Sequence, residues 1–228
     1  MKLKHFVKGS LLAGLVLLPV LGTTVDAAPA PEESEATIRF SVEEPPTIID
    51  PKNPGQDNDD QSGTGQTGPL TLDYVPNLDF GTHELSVAEE TYEAIDPKPF
   101  VQVTDRRGTG AGWNLTVQAS SFSTGGSGLQ ESLPGAELTF TDGEAVSRLS
   151  SLLAPDVNNS IVVNTGGDAT PVTTAIPGKG LGSWVTRWLK EEGADTNSKV
   201  ELTVPQAAAT PGSHTSTLTW TLTDAPGQ

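Results

Sequence analysis

The chain has 228 residues, with 29 acidic against 13 basic side chains, a net charge of −16 and no cysteine. So acidic a surface excludes nucleic acid as a partner, because phosphates require basic groups. With no disulfides, the folded part must rest on an ordinary core, which about 160 residues can build by burying roughly 70% of their unfolded surface.

Lys2, Lys4 and Lys8 precede an apolar run from Leu11 to Leu21, and Val25-Asp26-Ala27 meets the small-residue cleavage rule. This predicts a signal peptide over 1–27, cleaved after Ala27. The apolar run is too short to cross a bilayer, which takes about 20 residues, so no membrane insertion is expected after cleavage. No cysteine follows to carry a lipid. The chain ends at Asp224-Ala225-Pro226-Gly227-Gln228 with neither a hydrophobic tail nor a sorting signal. Any hold on the cell surface is therefore expected from the folded domain.

Residues 28–69 carry seven prolines and nine carboxylates against only Arg39 and Lys52. That composition predicts an acidic, Pro-rich linker, extended for most of its length. Within it, Ile38, Phe40 and Val42 alternate with polar residues, which predicts a short strand over 37–42 docking on a sheet edge of the main domain. Asp57-Asn58-Asp59-Asp60 has the acids of a calcium loop, but Ser62 and Gly68 stand where such a loop needs glycine and glutamate.

From Leu70 onward short strands dominate: Leu70 to Val75, Leu85 to Val87, Phe100 to Thr104, Gly112 to Gln118, Ala136 to Thr141, Ile161 to Val163, Val200 to Val204 and Thr215 to Thr223. Thr, Val and Leu fill them, and Gly, Pro, Asn and Ser punctuate between. This predicts one all-β domain over 70–228, an antiparallel β-sandwich or barrel-like fold with at most one or two short helices. Residues 144–153 form the main helix candidate, with Val146, Leu149 and Leu153 inward. The run from Gly178 to Leu189 turns on glycines into Trp184 and Trp188. Either a helical turn or a strand would bring those two indoles together.

The most informative stretch is Phe100 to Val117. Val101 and Val103 alternate with polar residues, Asp105 to Gly112 makes a glycine-bent turn, and Trp113, Leu115 and Val117 alternate again. This is a hairpin pattern. The sequence Thr217 to Thr223, T-L-T-W-T-L-T, repeats the Trp-x-Leu unit of Trp113-Asn114-Leu115 as Trp220-Thr221-Leu222. Two such copies more than a hundred residues apart predict two strands placed side by side.

On these residues the chain resembles the WxL domain of Gram-positive surface proteins. Leu70 to Val75, Asp79-Phe80-Gly81 and Val101 to Leu115 are also similar to that family, and the resemblance spans roughly 69 to 226. It implies noncovalent attachment to the cell wall through peptidoglycan binding. It also implies assembly with other WxL proteins and with larger membrane-anchored surface proteins.

Candidate binding residues are Trp113, Leu115, Trp220, Leu222, Asp105, Arg106, Arg107, Trp184 and Trp188. Indoles stack on the apolar faces of sugar rings, and they also build cores. The alternation favours core for Trp113 and Trp220, while both roles stay open for Trp184 and Trp188. Arg106 and Arg107 could pair with a carboxylate of a stem peptide or a partner protein, or Asp105 could bridge them internally to pin the loop. An enzyme is not expected. His83 and His214 stand alone without a zinc spacing, and Leu129 breaks the G-x-S-x-G pattern around Ser127. Gly178-Lys179 lacks the rest of a phosphate-binding loop. No cofactor or metal is expected. Two alternatives remain: an adhesin whose main ligand is a protein (a host matrix component or a neighbouring surface protein), and a wall hydrolase.

Overall fold

The structure is a computed structural model, and it describes residues 34–59, 61–124, 131–149 and 151–224. The signal peptide over 1–27 and the Ser127 segment lie outside the described residues. The chain divides into a leading unit, 1–39, and a main unit, 40–228. In the leading unit, residues 34–39 have no regular structure and are exposed.

Among its described residues the main unit has fifteen strands. The first five are β1 (Leu70–Tyr74), β2 (Glu90–Ala94), β3 (Phe100–Asp105), β4 (Trp113–Ala119) and β5 (Phe122–Thr124). Next come β6 (Glu131–Ser132), β7 (Glu137–Thr141), β8 (Glu144–Val146), β9 (Asp156–Val157) and β10 (Ser160–Asn164). The last five are β11 (Thr170–Ala175), β12 (Gly182–Arg187), β13 (Asn197–Val204), β14 (His214–Thr215) and β15 (Leu218–Thr223). No helix occurs among the described residues.

The ladders between strands are antiparallel and form four open sheets, ordered β1-β3-β12-β8, β10-β7-β13-β2, β15-β4-β11-β9 and β14-β5-β6. The arrangement is sandwich-like and does not close into a barrel. Alternation explains it: β4 and β10 bury every second residue, so each sheet has one apolar face to hide. Those faces meet in one continuous core that includes Val103 of β3, Leu115 of β4, Phe140 of β7, Ile161 of β10 and Leu202 of β13.

β3 is buried on both faces. Its second face is covered by part of the segment expected to be linker. Ile48 and Ile49 are buried and pack with Phe100 and Val185. Gln102 clamps them in place: its Oε1 accepts from the Ile49 amide at 2.8 Å, and its Nε2 donates to the Thr47 carbonyl at 3.0 Å and to Asp73 Oδ2 at 2.9 Å. Arg148 holds Asp57 and the Gln56 carbonyl, and Arg187 holds the Pro51 carbonyl. A polar composition suggested an extended chain, but two adjacent isoleucines can each contribute about 1.5–3 kcal/mol by burial. Docking therefore occurs at 47–58. No strand forms over 37–42, where Ile38 and Phe40 are exposed.

Asp73 is buried below this clamp. Thr71, Thr104 and Gln102 all donate to its carboxylate. Burial nevertheless pushes its pKa upward, outweighing those hydrogen bonds and the nearby Arg106 charge.

Three further differences from the sequence reading have local causes. Leu85 to Val87 is not a strand; it lies in an irregular stretch, with Leu85 58% and Val87 77% exposed. The described residues of 144–153 form no helix. Glu144–Val146 pair instead with β12, and the Leu149 amide donates to Ser147 Oγ. A free strand edge and a competing serine override the helical period there. β2 and β11 escaped notice because Glu-Thr-Tyr-Glu-Ala is highly polar and β11 contains Pro171, which sits at a register shift.

Candidate functional site

The two Trp-x-Leu units lie on adjacent strands, as expected. β15 pairs with β4 so that Leu222 opposes Leu115 and Trp220 opposes Val117. The two units nevertheless meet different surroundings. Trp113 is 1% exposed, and its Nε1 donates to the Gly180 carbonyl at 3.0 Å. A Cβ on Gly180 would stand 2.6 Å from that nitrogen and 2.5 Å from Ala175 Cβ, so the glycine run is moulded onto the indole. Gly180 also has φ +71°, a conformation that suits glycine.

Trp184 and Trp188 are buried as well, which closes the question left open for them. Trp184 sits in β12 and donates to the Leu181 carbonyl at 2.8 Å. Trp188 follows the strand and packs on Phe140 with ring centroids 4.9 Å apart. A Cβ on Gly143 would come within 2.7 Å of its Nε1. Leu115 is fully buried. Three of the four tryptophans therefore belong to the core.

Trp220 differs. β15 is the outermost strand of its sheet, and Leu218, Trp220 and Leu222 are only half buried. The Trp220 ring meets Phe140 edge-on at 6.3 Å. Its Nε1, like that of Trp188 in the core, is buried with no hydrogen-bond partner among the described residues, a deficit that costs about 1–3 kcal/mol.

Trp220 lines a groove of about 910 Å³ that opens between β15 and β2. Leu133, Leu138, Leu202 and Val204 line its interior, and the irregular segment 75–86 together with 209–218, which holds the short strand β14 and the start of β15, forms most of its walls. The His83 ring lies on Tyr92 at 4.3 Å, and its Nε2 lies 2.5 Å from the Phe80 carbonyl. His214 is bonded to Ser132 Oγ and to the Thr210 carbonyl. The two histidines sit in this groove as structural members, each engaged by its own chain.

The arginine turn is likewise engaged internally. Arg107 donates to both oxygens of Asp105, at 3.0 and 2.8 Å, and to the Gly112 carbonyl at 2.7 Å. The Asp105 side chain is wholly buried, and its hydrogen bonds hold the Arg107 pKa above the ordinary arginine range. Arg106 spans carbonyls of Glu44, Val42 and Gly68. The Asp105–Arg107 bridge pins the turn between β3 and β4, and Arg106 fastens the incoming chain to it.

Sequence reasoning missed the groove because its walls are loops without periodicity. The available signal was the cluster of apolar residues in 75–87, of which Leu85 to Val87 reads as a strand. Among the described residues no group of three His, Cys, Asp or Glu side chains is placed to hold a metal ion.

An open sandwich that devotes three indoles to its core and sets the fourth in a groove has the form of a binding module. The chain belongs to the WxL family: the family model described as WxL domain surface cell wall-binding matches residues 27–226. That is a family of cell-surface attachment, not a catalytic one. The match takes in the segment that contributes Ile48 and Ile49 to the fold. Neither a curated protein nor a solved structure matches the chain.

Proposed function

We propose that the protein is exported by the 1–27 leader and attaches noncovalently to the cell wall by binding peptidoglycan, with the groove beside Trp220 as the contact surface. Of the nominated tryptophans, Trp220 alone is incompletely covered by its own chain, and this observation carries the reading. A groove of about 910 Å³ is of the size that holds a ligand of several hundred daltons. The net charge of −16 opposes simple attraction to anionic wall polymers, so contact is short-range.

The test is sedimentation of the purified protein with isolated sacculi. Cosedimentation that survives removal of teichoic acid is expected. Protein that stays in the supernatant in both cases would refute the assignment.

A second reading, attachment as a subunit through a protein partner, is favoured by Leu85 and Val87, which stand exposed near the groove. Other WxL proteins, membrane-anchored surface proteins and host matrix components are the candidates. Saturable binding to such a partner with none to sacculi would select it.

A further inference from the structure

The groove has an aliphatic interior and an acidic mouth. Its interior side chains Leu133, Leu138, Leu202 and Val204 offer no hydrogen bonds. Among the aromatic rings, Tyr92 is capped by His83 and Phe122 is buried, which leaves Phe80 and Trp220 partly exposed. A sugar ring pressed into that aliphatic interior would lose water from its hydroxyls without regaining partners there, which is costly.

Several of the polar side chains on the walls are already engaged. Ser86 donates to Glu90, Ser216 to the Ser120 carbonyl, and both imidazoles are bonded within the chain. At the mouth stand the exposed carboxylates of Asp79 and Glu84, and among the described residues no lysine or arginine lines the groove. Asp79 Oδ1 accepts from the Gly81 amide, which fixes that side chain in place. The charge therefore favours a cation and disfavours phosphate or free carboxylate. Along one side β15 is the edge of its sheet, so alternate backbone groups from Leu218 to Leu222 face away from β4. An extended peptide finds main-chain partners at such an edge.

Resting on the reading of this groove as the wall contact, we propose that it takes the peptide part of peptidoglycan and not the glycan strand. The ligand is a short extended peptide, with small apolar side chains entering the aliphatic interior and a free amine held by Asp79 and Glu84.

The experiment is competition for the full chain bound to teichoic-acid-free sacculi. Three competitors are used: stem peptides freed by amidase digestion of the same sacculi, those peptides after acetylation of their amines, and the peptide-free glycan strands. The free stem peptides should release the protein and the glycan strands should not. Acetylation should weaken competition about fivefold, the size of one solvent-accessible ion pair. The double variant Asp79→Asn, Glu84→Gln alters two exposed side chains and should lose a similar factor on sacculi. Release by glycan strands and not by peptides would overturn the peptide assignment while leaving wall binding intact. Equal competition by acetylated peptide would overturn the pairing with the amine. No binding to sacculi at all would remove the wall reading and this inference together.

Discussion

Trp113→Ala and Trp220→Ala should separate sharply, although the two residues occupy the same position in the same tripeptide. A fully buried indole hides about 150–250 Å², which at about 25 cal/mol per Å² is roughly 4–6 kcal/mol. Core truncations of this kind cost about 3–5 kcal/mol in practice. Trp113 is covered to 1% exposure, and its loss also strips the Gly180 carbonyl of its donor, about 1 kcal/mol more. We therefore expect Trp113→Ala to lose about 4–5 kcal/mol, much of the stability of an ordinary domain. Trp220 is half buried on an edge strand and its Nε1 has no partner among the described residues, so Trp220→Ala should lose only about 1–2 kcal/mol. Equilibrium unfolding in urea, followed by far-ultraviolet circular dichroism on the full chain, reads both values. Equal losses, or a Trp113→Ala loss under about 1 kcal/mol, would refute the division into core and groove tryptophans.

Other expectations follow from the same contacts. Gly180→Ala should destabilise by about 2 kcal/mol or more, because its Cβ would overlap Trp113 and Ala175 at a positive φ; the urea midpoint measures this. Gln102→Ala should free the 47–49 segment, seen as faster amide exchange at Ile49 while the Val101 and Val103 amides stay protected. Asp73 has a folded pKa above its ordinary value, so its contribution to stability is present in acid and declines as pH rises from about 4 through the folded pKa. Asp73→Asn should remove that component, and the stability difference between variant and wild type, measured across pH 4–7, should shift in the variant's favour as pH rises. A difference that is flat in pH would contradict the burial of a poorly solvated carboxylate.

The sequence carried the fold wherever one face of a strand is buried. Trp113, Leu115 and Val117 alternate because β4 has core on one side, and Leu218, Trp220 and Leu222 do so for the same reason. The pairing of the two Trp-x-Leu strands was legible from that repetition. The signal fails where burial is two-sided or comes from an irregular segment. Ile48 and Ile49 have no period, and nothing local says that Gln102, more than fifty residues away, will accept from the Ile49 amide. The helix expected over 144–153 had a sound pattern, but β12 offered an open edge to Glu144–Val146. Of the candidate site, Trp220 was visible among the four tryptophans, and its separation from the other three was not. Trp113 and Trp220 look alike in sequence, and only the placement of β15 at a sheet edge distinguishes them. The arginine pair stood out by composition, while its carbonyl partners at Val42, Glu44, Gly68 and Gly112 are set by the fold.

The account rests on the groove beside Trp220, and a binding isotherm on teichoic-acid-free sacculi tests it most directly. Trp220→Ala, with a circular dichroism spectrum matching wild type, should bind at least about tenfold more weakly, as expected for losing an aromatic anchor worth about 1.4 kcal/mol or more. An isotherm superimposable on that of wild type would contradict the account and place the wall-binding surface elsewhere on the domain.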